Sequence, residues 1–211
     1  MSEHGLSVTQ HSGAPADAGA PQPVFYFDLG SPECYLAAER VMAELPVVPE
    51  WVPIHAADLP RAPGADAVER RAAIEARAQT QHLQPLRWPA GWQQQDTRVA
   101  MVGATYAKQI GRAVAFALAA FRQAFAGGRA LDEDTVVIAA AACEMHPRAV
   151  LQALGRRPVA AALDAATASA AAAGVTQVPA IVAGGAVYEG IDAVERAAAA
   201  LAAAEAEAAS A

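Results

Sequence analysis

The sequence alternates between short apolar stretches typical of strands and long stretches with apolar residues at helical spacing. Four of the short stretches predict strands, at residues 24–28, 47–54, 180–183 and 186–189. Pro49 and Pro53 interrupt the second stretch, which places it at a sheet edge or in irregular pairing. Gly184 and Gly185 predict a tight hairpin turn between the last two strands.

Helices are predicted where apolar positions recur every three to four residues. The first extends from Pro32 to about Leu45, and the last from Asp192 to about Ala204. Between them the pattern predicts helices near residues 66–81, 97–110, 112–126, 132–143 and 159–173, with glycines and prolines at the joints. The order β-α-β, helices, β-β-α predicts an α/β protein with an all-helical insertion at about residues 66–174.

The chain length and the terminal segments indicate one domain. A chain of 211 residues can bury one sizeable core. Residues 1–22 are rich in Gly, Ser, Ala and Pro, which predicts a disordered tail before a single domain at 23–205 and a short C-terminal tail at 206–211. The first segment has neither the cationic start nor the apolar stretch of a secretory signal, which favours a cytoplasmic protein.

Charge and composition exclude several classes of function. The net charge is −7 and the basic residues form no long run, which argues against a nucleic-acid surface. No charge-free apolar stretch approaches the ~20 residues of a membrane span. The two cysteines lie far apart, and the five histidines show no metal-ligand spacing. We therefore expect a small-molecule partner and no metal, and the apolar insertion helices are compatible with a homodimer.

The turn after the first strand, Gly-Ser-Pro-Glu-Cys at residues 30–34, carries the candidate chemistry. Ser31 is a favourable N-cap, Pro32 suits the first helical position, and Glu33 interacts favourably with the helix dipole. A helix start offers unpaired N–H groups and partial positive charge, which stabilise a thiolate. A serine cannot exchange disulfides, so the ordinary dithiol cycle is excluded. Two interpretations of Cys34 stay open, a buried core residue or a monothiol nucleophile.

Several motifs in this order carry a family resemblance. They are Phe25-Tyr26-Phe27-Asp28 with Ser31-Pro32-Glu33-Cys34-Tyr35-Leu36-Ala37, and Gly174-Val175-Thr176-Gln177-Val178-Pro179 leading to Tyr188-Glu189-Gly190-Ile191-Asp192. Over about residues 24–203 the chain resembles the DsbA-like branch of the thioredoxin superfamily. More narrowly, it resembles the group of 2-hydroxychromene-2-carboxylate isomerases and kappa-class glutathione transferases. The resemblance implies a DsbA-like thioredoxin fold with a large helical insertion.

The resemblance also implies roles for particular residues. Ser31 would donate a hydrogen bond to the thiolate of bound glutathione or another low-molecular-weight thiol. A cis bond between Val178 and Pro179 would let the Val178 backbone pair with the peptide of that thiol, and Asp192 would contact its γ-glutamyl end. Ile191 departs from the pattern, because the transferases have a serine there. The alternative interpretation of Ser31 and Asp192 is a plain helix N-cap.

Three further residues are candidates for an aromatic substrate pocket. His55 follows the second strand, and Trp92 and Thr97 lie just before an insertion helix. Packing of the insertion and solvated polar groups are the alternative interpretation for each of them.

The sequence therefore supports one leading function and two alternatives. The leading hypothesis is an enzyme, an isomerase or transferase dependent on a glutathione-type thiol, in which Ser31 supports a thiolate that adds to an electrophilic aromatic or conjugated substrate. The first alternative is a DsbA-like oxidoreductase that uses Cys34 alone with an external thiol. The second is a ligand-binding protein without catalysis.

Overall fold

The computed structural model describes residues 21–60 and 67–210 of the 211-residue chain. Its strands are β1 (Val24–Phe27), β2 (Glu50–Pro53), β3 (Ala180–Ala183) and β4 (Ala186–Glu189). They form one sheet in the order β2-β1-β3-β4, in which β1 and β2 are parallel and the other pairs antiparallel. All four predicted strands are present, and β2 lies at the edge, where proline is tolerated.

Nine α-helices accompany the sheet in the part of the chain that the structure describes. They are α1 (Pro32–Ala38), α2 (Val41–Glu44), α3 (Ala67–Thr80), α4 (Arg98–Gln109), α5 (Ala113–Phe121), α6 (Glu133–Ala141), α7 (Pro147–Leu154), α8 (Arg157–Ala172) and α9 (Ala193–Ser210). A π-helical turn, Arg122–Ala126, continues α5. Helices α3 to α8 lie between β2 and β3, as the predicted insertion requires.

Two of the helices between residues 32 and 154 differ from the sequence prediction. The predicted first helix is divided, because the amide of Arg40 bonds the carbonyl of Ala37 three residues back and so ends α1 with a tighter turn. Helix α7 was not predicted. Pro147 and Gly155 are among the prolines and glycines that the sequence pattern places at joints between helices, and they are its first residue and its C-cap.

The last helix is longer than predicted. α9 continues to Ser210, so residues 206–210, predicted as a tail, are helical. Most of its final turns consist of alanine, the residue with the highest helix propensity. The predicted tail at residues 1–22 lies almost wholly outside the described residues. None of the helices at residues 21–60 or 67–210 is long and apolar enough to cross a membrane.

Alternate residues of β1 face opposite sides of the sheet and belong to two apolar cores. Phe25 and Phe27 are fully buried on one side, where Phe27 packs on Phe121 of α5 with ring centroids 6.0 Å apart. Tyr26 belongs to the other core, together with Ala170 of α8. Helices therefore cover both faces of β1, and this packing holds the turn between β1 and α1 in place.

Candidate functional site

Ser31 caps the helix that follows β1. Its backbone is extended, with φ −91° and ψ 116°, and its Oγ accepts a hydrogen bond from the amide of Cys34 at 3.2 Å. Pro32 is the first helical residue, where its missing N–H leaves no bond unmade. The predicted N-cap is thus confirmed, and the Ser31 hydroxyl lies at the positive end of the α1 dipole.

The Ser31 hydroxyl has a second partner, which the sequence analysis did not predict. It donates to Oε2 of Glu33 at 3.0 Å. The same carboxylate accepts two hydrogen bonds from Arg70 of α3, from Nε at 2.5 Å and from Nη2 at 2.7 Å. The guanidinium of Arg70 lies 5.2 Å from the ring centroid of Trp92. Trp92, one of the predicted pocket residues, therefore connects to Ser31 through a chain of polar contacts.

Cys34 lies one turn further along α1 and is fully buried. Burial raises its pKa far above the ordinary value of a thiol, and the charges of Asp28 and Glu33 raise it further. Cys143 is buried as well, and burial raises its pKa too. Since these are the two cysteines of the chain, neither presents a reactive thiolate at neutral pH in this structure.

Asp28 connects the turn between β1 and α1 to two other segments of the chain by hydrogen bonds. Its buried carboxylate accepts hydrogen bonds from the amide of Gly30 at 2.8 Å, the amide of Ala56 at 2.9 Å and the hydroxyl of Thr97 at 3.2 Å. Burial raises the pKa of Asp28, although these three hydrogen bonds oppose the rise. Asp28 thereby ties α1 to the loop after β2 and to the start of α4.

His55 and Thr97, the other predicted pocket residues, lie next to this carboxylate and are buried. Thr97 is the N-cap residue of α4. Its hydroxyl donates a hydrogen bond to Asp28 and makes no cap bond to the α4 backbone. Nδ1 of His55 lies 2.7 Å from Oδ2 of Asp58. The amide of His55 donates to Thr167 of α8 at 3.0 Å. His55 and Thr97 thus lie beside the turn that precedes α1, and their side chains are already hydrogen-bonded, His55 to Asp58 and Thr97 to Asp28.

Residue 30 must be a glycine because the Thr97 side chain leaves no room for a Cβ atom there. A Cβ atom at residue 30 would lie 2.3 Å from Cγ2 of Thr97, far inside contact distance. We expect Gly30→Ala to lower the free energy of unfolding by about 1–3 kcal/mol, as overpacking does, measured by urea denaturation.

Gly155→Ala is the matched control for this substitution. Gly155 has a right-handed helical backbone, and a Cβ atom there would meet nothing closer than a carbonyl oxygen at 3.9 Å. We expect little change from Gly155→Ala. Equal stabilities of the two variants would show that Thr97 moves aside without cost.

The Val178-Pro179 bond is cis, as the family resemblance implied. These residues lie just before β3, which pairs with β1 so that Ala180 is opposite Tyr26. Because the two strands are antiparallel, the start of β3 adjoins the end of β1. Val178 and Pro179 therefore lie at the sheet end from which the Ser31 turn emerges.

Asp192 lies at the start of α9, and its exposed carboxylate accepts from Nη2 of Arg77 at 2.5 Å. Arg77 also bonds Glu195 of α9. Arg70 and Arg77 are seven residues apart on α3, which places them on one face about 10.5 Å apart along the axis. Helix α3 thus connects Glu33 beside Ser31 with Asp192.

The structure gives no support for a metal centre within the described residues. No group of three or more His, Cys, Asp or Glu side chains converges there. An open hollow does lie elsewhere, lined by Glu50 and Trp51 of β2 and by the junction of α4 and α5. The hollow adjoins the start of β2, whereas Ser31 follows the end of β1. Because β1 and β2 are parallel, the hollow and Ser31 lie at opposite ends of these strands.

Comparison with solved structures finds proteins of the same fold. The chain is similar in structure to 2-hydroxychromene-2-carboxylate isomerase, with a TM-score of 0.78, 20% identity, and coverage of 89% of this chain and 98% of that chain. It is also similar to a protein described as a probable DsbA oxidoreductase from Streptomyces coelicolor, with a TM-score of 0.70, 23% identity, and coverage of 88% and 90%. For DsbA of Pseudomonas aeruginosa the TM-score is 0.52 and the identity 16%, with coverage of 92% of this chain and 88% of that chain. At such identities these similarities show a shared fold.

The family itself is shown by the sequence match. No curated protein was found to match the chain. Residues 24–202, however, match the family described as DSBA-like thioredoxin domain. This range runs from β1 into α9 and includes the Ser31 turn, the helical insertion and the cis bond before β3. The chain therefore belongs to the DSBA-like thioredoxin domain family.

Proposed function

We propose that this protein is an enzyme that uses a low-molecular-weight thiol, glutathione or a relative of it, as an isomerase or transferase of electrophilic aromatic or conjugated compounds. The observation that carries the proposal is the pair of residues at positions 31 and 34, where a dithiol redox enzyme has the two cysteines of a Cys-x-x-Cys motif. Ser31 stands at the cap, and Cys34 is fully buried with a pKa raised by burial. The chain has a place that favours a thiolate and no accessible thiol of its own.

The residues around the turn fit a thiol ligand. When bound, such a thiol would supply a sulfur nucleophile that adds to an electrophilic carbon and is released again in an isomerisation, or stays attached in a transfer. Ser31 would donate a hydrogen bond to the sulfur, and the partial positive charge of the α1 start would favour its ionised form. The Val178 backbone and Asp192 would hold the remainder of the ligand, and Trp92 would face the substrate.

The structure disfavours the monothiol alternative. A redox cycle through Cys34 needs an exposed thiolate that attacks a disulfide. Cys34 instead has no exposed surface and belongs to the core that includes Phe27 and Leu36. The similarity to 2-hydroxychromene-2-carboxylate isomerase agrees with the proposal but, at 20% identity, supports only the fold.

Thiol binding is the direct test of the proposal. We expect glutathione, or another thiol of a small panel, to raise the melting temperature in a saturable way. At a concentration of 100 Kd the ligand stabilises the folded state by about 2.7 kcal/mol, which corresponds to roughly 5–10 °C for a domain of this size. The S-methylated form of the same thiol is the control, and it should give a smaller shift because it cannot ionise.

Mass spectrometry of the incubated protein separates the alternatives. The proposal predicts a thermal shift without a covalent adduct on Cys34. A mixed disulfide on Cys34 would instead support the monothiol oxidoreductase. Absence of both shift and adduct with every thiol would leave the non-catalytic alternative and would contradict the proposed function.

A further inference from the structure

The Ser31 hydroxyl is already engaged in this structure. Its single proton is donated to Oε2 of Glu33, while its oxygen accepts from the amide of Cys34. Ser31 is only 8% exposed. Because a hydroxyl has one proton to donate, a thiolate can accept from Ser31 only after the bond to Glu33 is broken. Glu33 therefore competes with any thiolate for the cap hydroxyl.

Glu33 also opposes a thiolate through its charge. Its Oε2 lies 3.0 Å from Ser31 Oγ. A sulfur in hydrogen-bond contact with that hydroxyl lies within roughly 6 Å of the carboxylate, a distance at which like charges disfavour each other's ionisation. The Glu33 side chain is mostly withdrawn from water, which strengthens the repulsion. An unpaired Glu33 would thus offset the stabilisation that the α1 dipole gives to the thiolate.

Arg70 is the group that balances this charge. Its two hydrogen bonds to Glu33, at 2.5 and 2.7 Å, have the bidentate geometry of a strong arginine–carboxylate pair. The Trp92 ring lies against its guanidinium. Hydrogen bonding to Glu33 raises the pKa of Arg70, and a guanidinium is positively charged at neutral pH even without such a partner.

The other titratable groups near Ser31 do not balance the charge of Glu33. Asp28 is an acid whose pKa is raised by burial, and Cys34 stays protonated because burial raises its pKa as well. His55 lies beyond Asp28, with its Nδ1 against Asp58. Within residues 21–60 and 67–210, Arg70 is the cation bonded to Glu33.

We propose that Arg70 is a positioning residue of the thiol site, which neutralises Glu33 and so weakens the competition of its carboxylate with a thiolate for the Ser31 hydroxyl. The inference rests on the proposed function and adds to it the residue that controls ionisation of the bound thiol. Arg70 acts through Glu33 and does not itself contact the sulfur.

The test measures the pKa of the bound thiol. Glutathione is the probe, its thiolate is followed by ultraviolet absorbance as a function of pH, and its affinity is measured by calorimetry. Arg70→Gln should raise the pKa of the bound thiol by about one unit or more, because Glu33 is left unpaired. Glu33→Gln should lower it. The double variant should return it close to the parent value, and Arg70→Lys should largely preserve it.

Arg71 provides a matched control on the same helix. It pairs with Glu75 at 3.1 Å and lies 4.9 Å from the ring centroid of Trp88, so it makes the same kinds of contact as Arg70. Its carboxylate partner is not bonded to Ser31. Arg71→Gln should therefore leave the pKa of bound glutathione unchanged, and an equal shift in Arg71→Gln and Arg70→Gln would overturn the inference.

The remaining outcomes separate this inference from the proposed function. If the parent protein binds and ionises glutathione while Arg70→Gln and Glu33→Gln leave the pKa of the thiol unchanged, the inference is overturned and the proposed function stands. If the parent protein binds neither glutathione nor any other thiol of the panel, both are overturned, and if only another thiol binds, that thiol replaces glutathione as the probe. If circular dichroism shows that Arg70→Gln does not fold, the test rests on Glu33→Gln alone. If Glu33→Gln then does not lower the pKa of the bound thiol, the inference is overturned.

Discussion

Replacing Ser31 with alanine is expected to lower kcat/KM for a thiol-dependent reaction by about 100-fold or more. The reason is the loss of the hydroxyl that donates to the thiolate, since removal of one preorganised donor at a developing or bound anion typically costs 10²–10³ in rate. The measurement is conjugation of glutathione to an activated aryl halide such as chlorodinitrobenzene, followed by absorbance. The variant also loses an N-cap, so a control for stability is needed.

Asp132→Ala is that control. Asp132 caps α6 by accepting a hydrogen bond from the amide of Thr135 at 2.9 Å, the same kind of bond that Ser31 makes to Cys34. Loss of either cap should cost about 1 kcal/mol of stability. We expect Asp132→Ala to conjugate glutathione at the parent rate. A comparable loss of rate in both variants would mean that Ser31 acts only through helix stability.

Cys34→Ala separates the two thiol hypotheses when a thiol–disulfide exchange assay is run beside the conjugation assay. Under the proposed function this variant keeps most of the thiol-dependent activity, because a buried protonated thiol contributes only packing. Under the monothiol alternative the measured activity is thiol–disulfide exchange, which Cys34→Ala abolishes and Ser31→Ala keeps. The two substitutions therefore give opposite patterns, and the two assays together distinguish the hypotheses.

Replacing Phe121 with alanine is expected to cause the largest loss of stability, about 3–5 kcal/mol. Phe121 is fully buried and lies at 6.0 Å from Phe27 of β1 and 6.3 Å from Tyr35 of α1, measured between ring centroids. Its removal leaves a cavity where the insertion packs on the sheet. Native domains are stable by only about 5–15 kcal/mol, so such a loss is a large share of the total.

Leu151→Ala on α7 is the comparison for this effect, because the Leu151 side chain is 42% exposed. We expect it to change the free energy of unfolding by about 0.5 kcal/mol or less. Both variants are measured by urea denaturation. A loss below about 1 kcal/mol for Phe121→Ala would show that α5 does not contribute to the core as described.

The parts of the fold that depend on local sequence could be predicted. The strands follow from runs of β-branched and aromatic residues, and the Ser31 cap follows from Ser-Pro-Glu directly after β1. The cis bond at Pro179 followed from the family resemblance, since most X-Pro bonds are trans. Helix α7 was missed because a proline and a glycine can equally bound a short helix or separate two others.

The partners of the site residues could not be predicted in the same way. Asp28 was placed at the end of a strand, yet it accepts hydrogen bonds from Ala56 and Thr97, which are 28 and 69 residues away. Arg70 is 37 residues from Glu33 and is one of several arginines on α3. Nothing in the local pattern distinguishes it from Arg71. Such pairings depend on how the insertion packs against the β-α-β unit.

Helix α3 belongs to the insertion, yet two of its three arginines reach the start of α1 and the start of α9, Arg70 at Glu33 and Arg77 at Asp192. Under the proposed function, substitutions on this one helix therefore change the reactivity of the site without changing the strands or the helix that build it. Selection or protein engineering could exchange α3 as a module and keep the scaffold intact. A chimera that carries the α3 of another family member would then inherit part of the donor's chemistry along with its charges.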